Sequence, residues 1–199
     1  MLPIGPLMTE HRLIERMITL MKQDLQRIRE NVAVDPEFAF VDPVFIDTAV
    51  EFIRTYADQC HHGKEEDILF VELAKKDLTP EHRQVMEELI QEHVWGREAV
   101  VKLVKVKENY LREQEGAVPE ILSILEQLTE FYPRHIDKED RHFFLPVMDY
   151  FTNEEQAAML AQMWEFDRKM IHAKYTTIVE AIENRRACVV RDQGIGNRE

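Results

Sequence analysis

The sequence predicts an all-α chain, with four amphipathic helices bundled over about residues 6–150 and a fifth added over about residues 153–186. Three observations point there. Only 6 Gly and 8 Pro are spread over 199 residues, too few for the frequent tight turns of a sandwich or a barrel. Hydrophobic residues make up 45% beside 32% charged residues, enough apolar surface to bury a core. Apolar residues also recur at three- and four-residue spacings over long stretches, the period of a helix with one dry face.

In the first helix, Leu7, Ile14, Ile18, Met21, Leu25 and Ile28 trace one stripe, and His11 fills its missing place. The segment 31–43 then carries Asp35-Pro36 and Asp42-Pro43, pairs that favour extended or turn geometry and stop the helix. A second helix is expected from near Val44, with Ile46, Val50, Ile53, Ala57, His61, Glu65 and Ile68 on its stripe. Thr79 followed by Pro80 reads as an N-cap and a first-position proline. The third helix follows to about Gly116, carrying Met86, Leu89, His93, Gly96, Val100 and Leu103 on one side. The fourth starts near Val118-Pro119 and turns Ile121, Leu125, Leu128, Phe131, His135 and Glu139 inward, with Pro133 predicting a kink just before His135. Thr152-Asn153-Glu154-Glu155 has the capping-box form and opens a fifth helix to about Arg186, with Met159, Met163, Phe166, Met170, Tyr175 and Ile178 among its apolar residues. No linker divides these helices, so residues 1–186 read as one domain, and residues 187–199 as a disordered tail.

Charge and cysteine usage narrow the function classes. With 25 Lys+Arg against 38 Asp+Glu, the formal charge is 25 − 38 = −13, which excludes a generic basic face for nucleic acid. Cys60 and Cys188 lie far apart, suggest neither a disulfide framework nor a cysteine zinc site, and fit a reducing cytoplasm. The N-terminus has no basic run followed by an apolar one, and no stretch approaches the roughly 18 apolar residues of a membrane span. A cytoplasmic protein with no nucleic-acid or membrane partner is expected. The fifth helix either covers the bundle or pairs with a second copy as a homodimer.

Each of the first four helices places a histidine on its dry face, and His61 and His135 are each followed four residues later by glutamate, Glu65 and Glu139. Residues at i and i+4 share one side of a helix, so both side chains reach one centre. The order repeats: a lone His11 then His61-x-x-x-Glu65, a lone His93 then His135-x-x-x-Glu139. Glu10-His11 is matched by Glu92-His93, and HGKEEDILF from His62 parallels IDKEDRHFF from Ile136, a frame that selects His61 over His62. The spacing by itself is weak, because His11 with Glu15 and His62 with Glu66 also satisfy it. Placement on four apolar stripes in matched order is the stronger signal. Two cations a few ångströms apart need bridging anions and terminal neutral donors, which glutamate and imidazole supply; the donor set suits iron, with manganese or zinc possible. Without metal, these groups would be buried unpartnered at a cost of several kcal/mol per ion.

The motifs TEHRLIE (His11), CHHGKEEDILF (His61, Glu65), QEHVWGRE (His93) and PRHIDKEDRHFF (His135, Glu139) together resemble the hemerythrin-like proteins of the HHE cation-binding domain, over about residues 6–150. The resemblance implies an up-down four-helix bundle around two iron ions in an oxo- or hydroxo-bridged, non-haem centre. It implies Glu65 and Glu139 as bridges, His11 and His61 on one iron, and His93 and His135 on the other. Oxygen-carrying hemerythrins place a further histidine four residues after the third-helix ligand and a His-x-x-x-x-Asp pair on the fourth helix. Here position 97 is Arg and the last pair is His135-x-x-x-Glu139, closer to bacterial relatives linked to nitric oxide response and iron-centre repair. One imidazole fewer leaves a coordination position for water or a small ligand.

The expected function is binding of O2 or NO in sensing, scavenging or iron handling, with peroxide as a further small ligand and an unknown redox partner. Two alternatives stand beside it: a metal-independent helical interaction module docking through its acidic surface, and a di-iron peroxidase or nitric oxide reductase. Among the other residues, His172 in MIHAKY reads either as an extra ligand at the open end or as a packed helix residue. His62, His82 and His142 are expected to face solvent or cap. Glu139-x-x-His142 has the ferritin-like pattern but lacks the second copy such a site needs. Tyr56 and Tyr132 read either as hydrogen-bonding to a metal-bound ligand or a bridging carboxylate or as core tyrosines with the hydroxyl at the rim, Cys60 either as a thiol open to oxidation by peroxide made at the iron or as a small buried hydrophobe, and the methionines as core filler.

Overall fold

The computed structural model describes residues 1–35, 40–170 and 174. Among these residues there is no strand, and five helical rods account for nearly everything: α1 (Ile4–Val34), α2 (43–73), α3 (Pro80–Leu111), α4 (117–147) and α5 (153–170). Their starts follow local chemistry. Asp42 accepts from the backbone N–H of Val44 and Phe45 at 3.0 and 3.2 Å, with Pro43 as the first residue of α2. Thr79 does the same for His82 N–H at 3.3 Å ahead of Pro80. Thr152 and Glu155 form the reciprocal capping box at α5, with bonds of 2.9 and 3.3 Å.

Two boundaries differ from the sequence reading. The helix α3 stops at Leu111, five residues short, because Glu113 and Gly116 adopt φ of 55° and 81° and reverse the chain. Around Pro133 the α-helical winding continues to Lys138 and then loosens into a π-helical turn over Glu139–Phe143. The rod α2 contains two more such stretches, Ile53–His62 and Glu65–Leu69. Each widens the turn by one residue in the hydrogen-bonding ladder, a form that gathers at functional sites.

A 31-residue rod is about 45 Å long at about 1.5 Å per residue, while the loops of a few residues span roughly 20 Å, so successive rods run antiparallel. The rods pack in a ring, α1 on α2, α2 on α3, α3 on α4 and α4 back on α1. Two apolar cores fill the ring. One contains Ile14, Ile18, Met21, Leu25, Val100, Leu103, Leu125 and Leu128; the other contains Ile4, Leu7, Leu69, Leu73, Leu89, Phe143 and Phe144, together with Met159 and Met163 of α5. Between them lies a polar layer at the level of His11, one turn above Leu7 and just below Ile14. Among the described residues, no helix is long and apolar enough to cross a membrane.

Candidate metal centre

All six residues singled out by the sequence meet in that layer. His11, His61 and His135 are 1–2% exposed, and His93, Glu65 and Glu139 are fully buried. The four imidazoles turn Nε2 inward around the two carboxylates. Glu65 directs Oε1 to within 3.2 Å of His61 Nε2 and Oε2 to within 3.2 Å of His93 Nε2. Glu139 sets Oε2 at 3.2 Å from His11 Nε2 and Oε1 at 3.2 Å from His135 Nε2. The two oxygens of each glutamate thus face two different half-sites, His11 with His61 and His93 with His135. None of these contacts is aligned as a hydrogen bond: the four Nε2 atoms and all four carboxylate oxygens are buried without a hydrogen-bond partner.

The outward nitrogens tell the opposite story. Every one of the four rings has Nδ1 against a carboxylate: His11 on Asp140 at 2.7 Å, His61 on Glu10 at 2.9 Å, His93 on Glu66 at 2.7 Å and His135 on Glu92 at 2.7 Å. Each carboxylate comes from the neighbouring rod, where it sits beside a different site residue, so the set runs α1 to α2, α2 to α3, α3 to α4 and α4 back to α1. Each is also neutralised by a cation on the rod of the histidine it serves: Asp140 by Arg12, Glu10 by Lys64, Glu66 by Arg97 at 2.7 Å and Glu92 by Lys138 at 2.6 Å. An acceptor on Nδ1 fixes the tautomer that leaves the Nε2 lone pair pointing inward, the usual outer-shell arrangement of a metal-binding histidine.

Protonation follows from this packing in the metal-free chain. Burial favours a neutral His11, but the Asp140 and Glu139 carboxylates outweigh it and lift the ring to about 10. Burial is likewise overridden at His93 by Glu139, Glu65 and Glu66, which raise it to about 11. For Glu65, burial works upward, yet His61 and His93 hold the carboxyl well below its ordinary range.

His62 corrects the sequence reading. It was expected at the surface, but it is 3% exposed, stacked on the His93 ring at 3.8 Å and 11°, and within 5.6 Å of the His135 ring. The α-helical frame turns consecutive residues to different faces; the π-wound turn Ile53–His62 lets both His61 and His62 face inward. Burial, and then His93 beside it, push His62 far toward the neutral form. Its Nδ1 has no hydrogen-bond partner. Next to it opens a side cavity of about 260 Å³ whose lining includes Asp58, His62, His93, Arg97 and Tyr132. Tyr132 is 2% exposed, and Arg97 bonds Asp58 at 2.7 Å as well as Glu66.

The remaining assignments divide. His142 is 68% exposed, and His82 sits against the Tyr150 hydroxyl at 2.8 Å beside the α3 cap, both as expected. Cys60 is half-buried with Sγ 3.4 Å from Asp167 of α5, and burial pushes its thiol up to about 12. Glu10, Cys60 and Asp167 place ligand-type atoms within 4.8 Å of one another. The Lys64 ammonium, fully buried, already lies against Glu10 and 2.6 Å from Asp167, so a cation is in place there. His172, Tyr175, Ile178, Cys188 and the tail lie outside the described residues.

Two donor groups therefore stand side by side, His11, His61, Glu65 and Glu139 in one, and His62, His93 and His135 in the other, each with its ligand atoms within 4.8 Å. Eight orphaned polar atoms in a dry layer cost far more than a packed apolar layer would, unless cations fill the space between them. The donor chemistry fits two metal ions. The model of the hemerythrin HHE cation-binding domain matches residues 2–147. Comparisons with curated proteins and with solved structures gave no match.

Proposed function

Because the chain belongs to the hemerythrin HHE cation-binding family, we propose that its buried layer holds two iron ions and binds O2 or NO there, as a sensor, scavenger or iron-handling factor. One observation carries this reading: the four inward Nε2 atoms and the four oxygens of Glu65 and Glu139 converge in a dry layer without a hydrogen-bond partner. His11 and His61 would hold one ion, His93 and His135 the other, and the two glutamates would span them. Manganese or zinc suits the same donors, since such sites select by availability and geometry more than by affinity. Iron, when bound, supplies redox change and a coordination position open to a small ligand.

The chain's own residues account for the rest. The outer carboxylates hold each ring in one tautomer, and each has a cation against it; the charge of bound ions would be balanced within the layer by Glu65 and Glu139. The two apolar cores on either side exclude water from the layer. The side cavity beside Tyr132 and Arg97 gives a diatomic ligand or peroxide room to approach, and a reductant would act from outside the bundle.

Metal analysis of protein purified from its own host tests the reading. Two irons per chain are expected, with an unfolding temperature that falls sharply on chelation. A metal-free chain with the same helicity and the same unfolding temperature would instead favour a helical interaction module.

A further inference from the structure

We infer that His62 is a third imidazole donor to the ion held by His93 and His135. The inference rests on the two-metal reading above. Three features on the page carry it. One ring nitrogen of each of His62, His93 and His135 lies within a common 4.8 Å cluster, and all three residues are buried. His62 keeps a buried ring nitrogen that makes no hydrogen bond: its Nδ1 stands 3.5 Å from Asp58, whereas the other four rings are each held at Nδ1 by a carboxylate. Asp58 itself is bonded to Arg97, which is turned away from the centre toward Asp58 and Glu66 and donates nothing to the layer.

The physical path to ligation is short. His62 stacks flat on His93, and two rings bound to one ion must open relative to each other. That opening is a rotation about the last side-chain torsion, which is soft for histidine, and the side cavity next to the ring leaves space for it. The result is an asymmetric pair of sites. The His93 side has three nitrogens and two shared carboxylates, the His11 side two nitrogens and the same carboxylates.

Cobalt(II) titration of the chelator-stripped full chain tests this, followed by visible absorption and by competition with a chelator. The wild-type chain is expected to take two ions. In His62→Phe, which keeps the stack on His93 but removes the donor, one of the two ions should bind more than about 100-fold more weakly, beyond the 10–100-fold typical of losing an outer-shell partner. The second ion should keep its wild-type affinity. His62→Gln, with less bulk, should show the same split, and unfolding of both metal-free variants should match that of the metal-free wild type. Two ions bound by both variants within about 100-fold of wild type would overturn the role of His62 while leaving the two-metal reading intact. A wild-type chain that takes up no cobalt overturns both.

Discussion

Glu92 precedes His93 in the chain, yet its carboxylate lies 2.7 Å from Nδ1 of His135 on the neighbouring rod. The same displacement links Glu10, next to His11, to His61 at 2.9 Å. A residue adjacent to one ligand therefore orients the ligand of the next rod, and the bundle cannot shift one rod without disturbing two half-sites. Glu92→Ala is expected to lower affinity for the second metal ion about 10–100-fold, because His135 loses the acceptor that fixes its tautomer. Chelator competition on the purified variant measures it. Unchanged affinity would mean that the ring is held by packing alone, against Phe131 for example, whose ring stacks on His135 at 5.2 Å.

Much of this was legible before any coordinates. Four histidines and two glutamates stand on apolar stripes, and a helix of known period must bring i and i+4 together, so the six inner residues are found by counting. The repeat Glu10-His11 and Glu92-His93 is equally visible, but its meaning is not. Which rod a side chain reaches depends on the rotation of each helix and on the ring order of the bundle, and neither is written in local spacing. His62 escaped for a different reason: α-helical periodicity sends it outward, whereas the π-wound turn brings it in. The available signal was the pair His61-His62 with carboxylates four residues ahead of both. Arg97, by contrast, has a task in the structure as the cation on Glu66.

Lys64 is fully buried, between Glu10 of α1 and Asp167 of α5. It neutralises the acceptor of His61 and ties the fifth helix to the bundle in one contact. Lys64→Met leaves Glu10 and Asp167 facing each other without their shared cation and is expected to destabilise the protein by about 3 kcal/mol, the lower end for breaking a buried pair because Asp167 is partly solvated. Denaturant unfolding measures the loss. Adding Glu10→Gln should restore part of it by removing one of the two stranded charges, and additive losses would rule out the coupling.

Gly63 separates His62 from Lys64, and a methyl group built there would come within 2.7 Å of Cζ of Phe166 on α5. The close approach, rather than any special backbone angle, is what glycine provides at this point. Gly63→Ala should cost about 1–3 kcal/mol as an overpacked contact, toward the lower figure if the half-buried Phe166 ring swings aside. Thermal unfolding of Gly63→Ala, Phe166→Leu and the double variant checks it. The double variant should recover most of the loss from Gly63→Ala, since the clash needs both groups.

The metal-free chain and the loaded chain should respond to pH differently. Burial opposes charge on His11 and His93, but the surrounding carboxylates lift them to about 10 and about 11. In the unfolded chain such rings titrate near about 6.5. A group whose native value is raised contributes its full stabilisation below the unfolded value and loses it as pH rises through the native one. Metal-free protein is thus expected to hold this contribution at about pH 6 and shed it steadily toward about pH 11. A metal ion needs the unprotonated Nε2, so it competes with those protons and binds more tightly as they leave. The gap between the unfolding temperatures of metal-loaded and metal-free protein should therefore widen from about pH 6 to about pH 9, measured by calorimetry with and without chelator. A gap that stays level over this interval would show that the rings are already neutral in the metal-free layer.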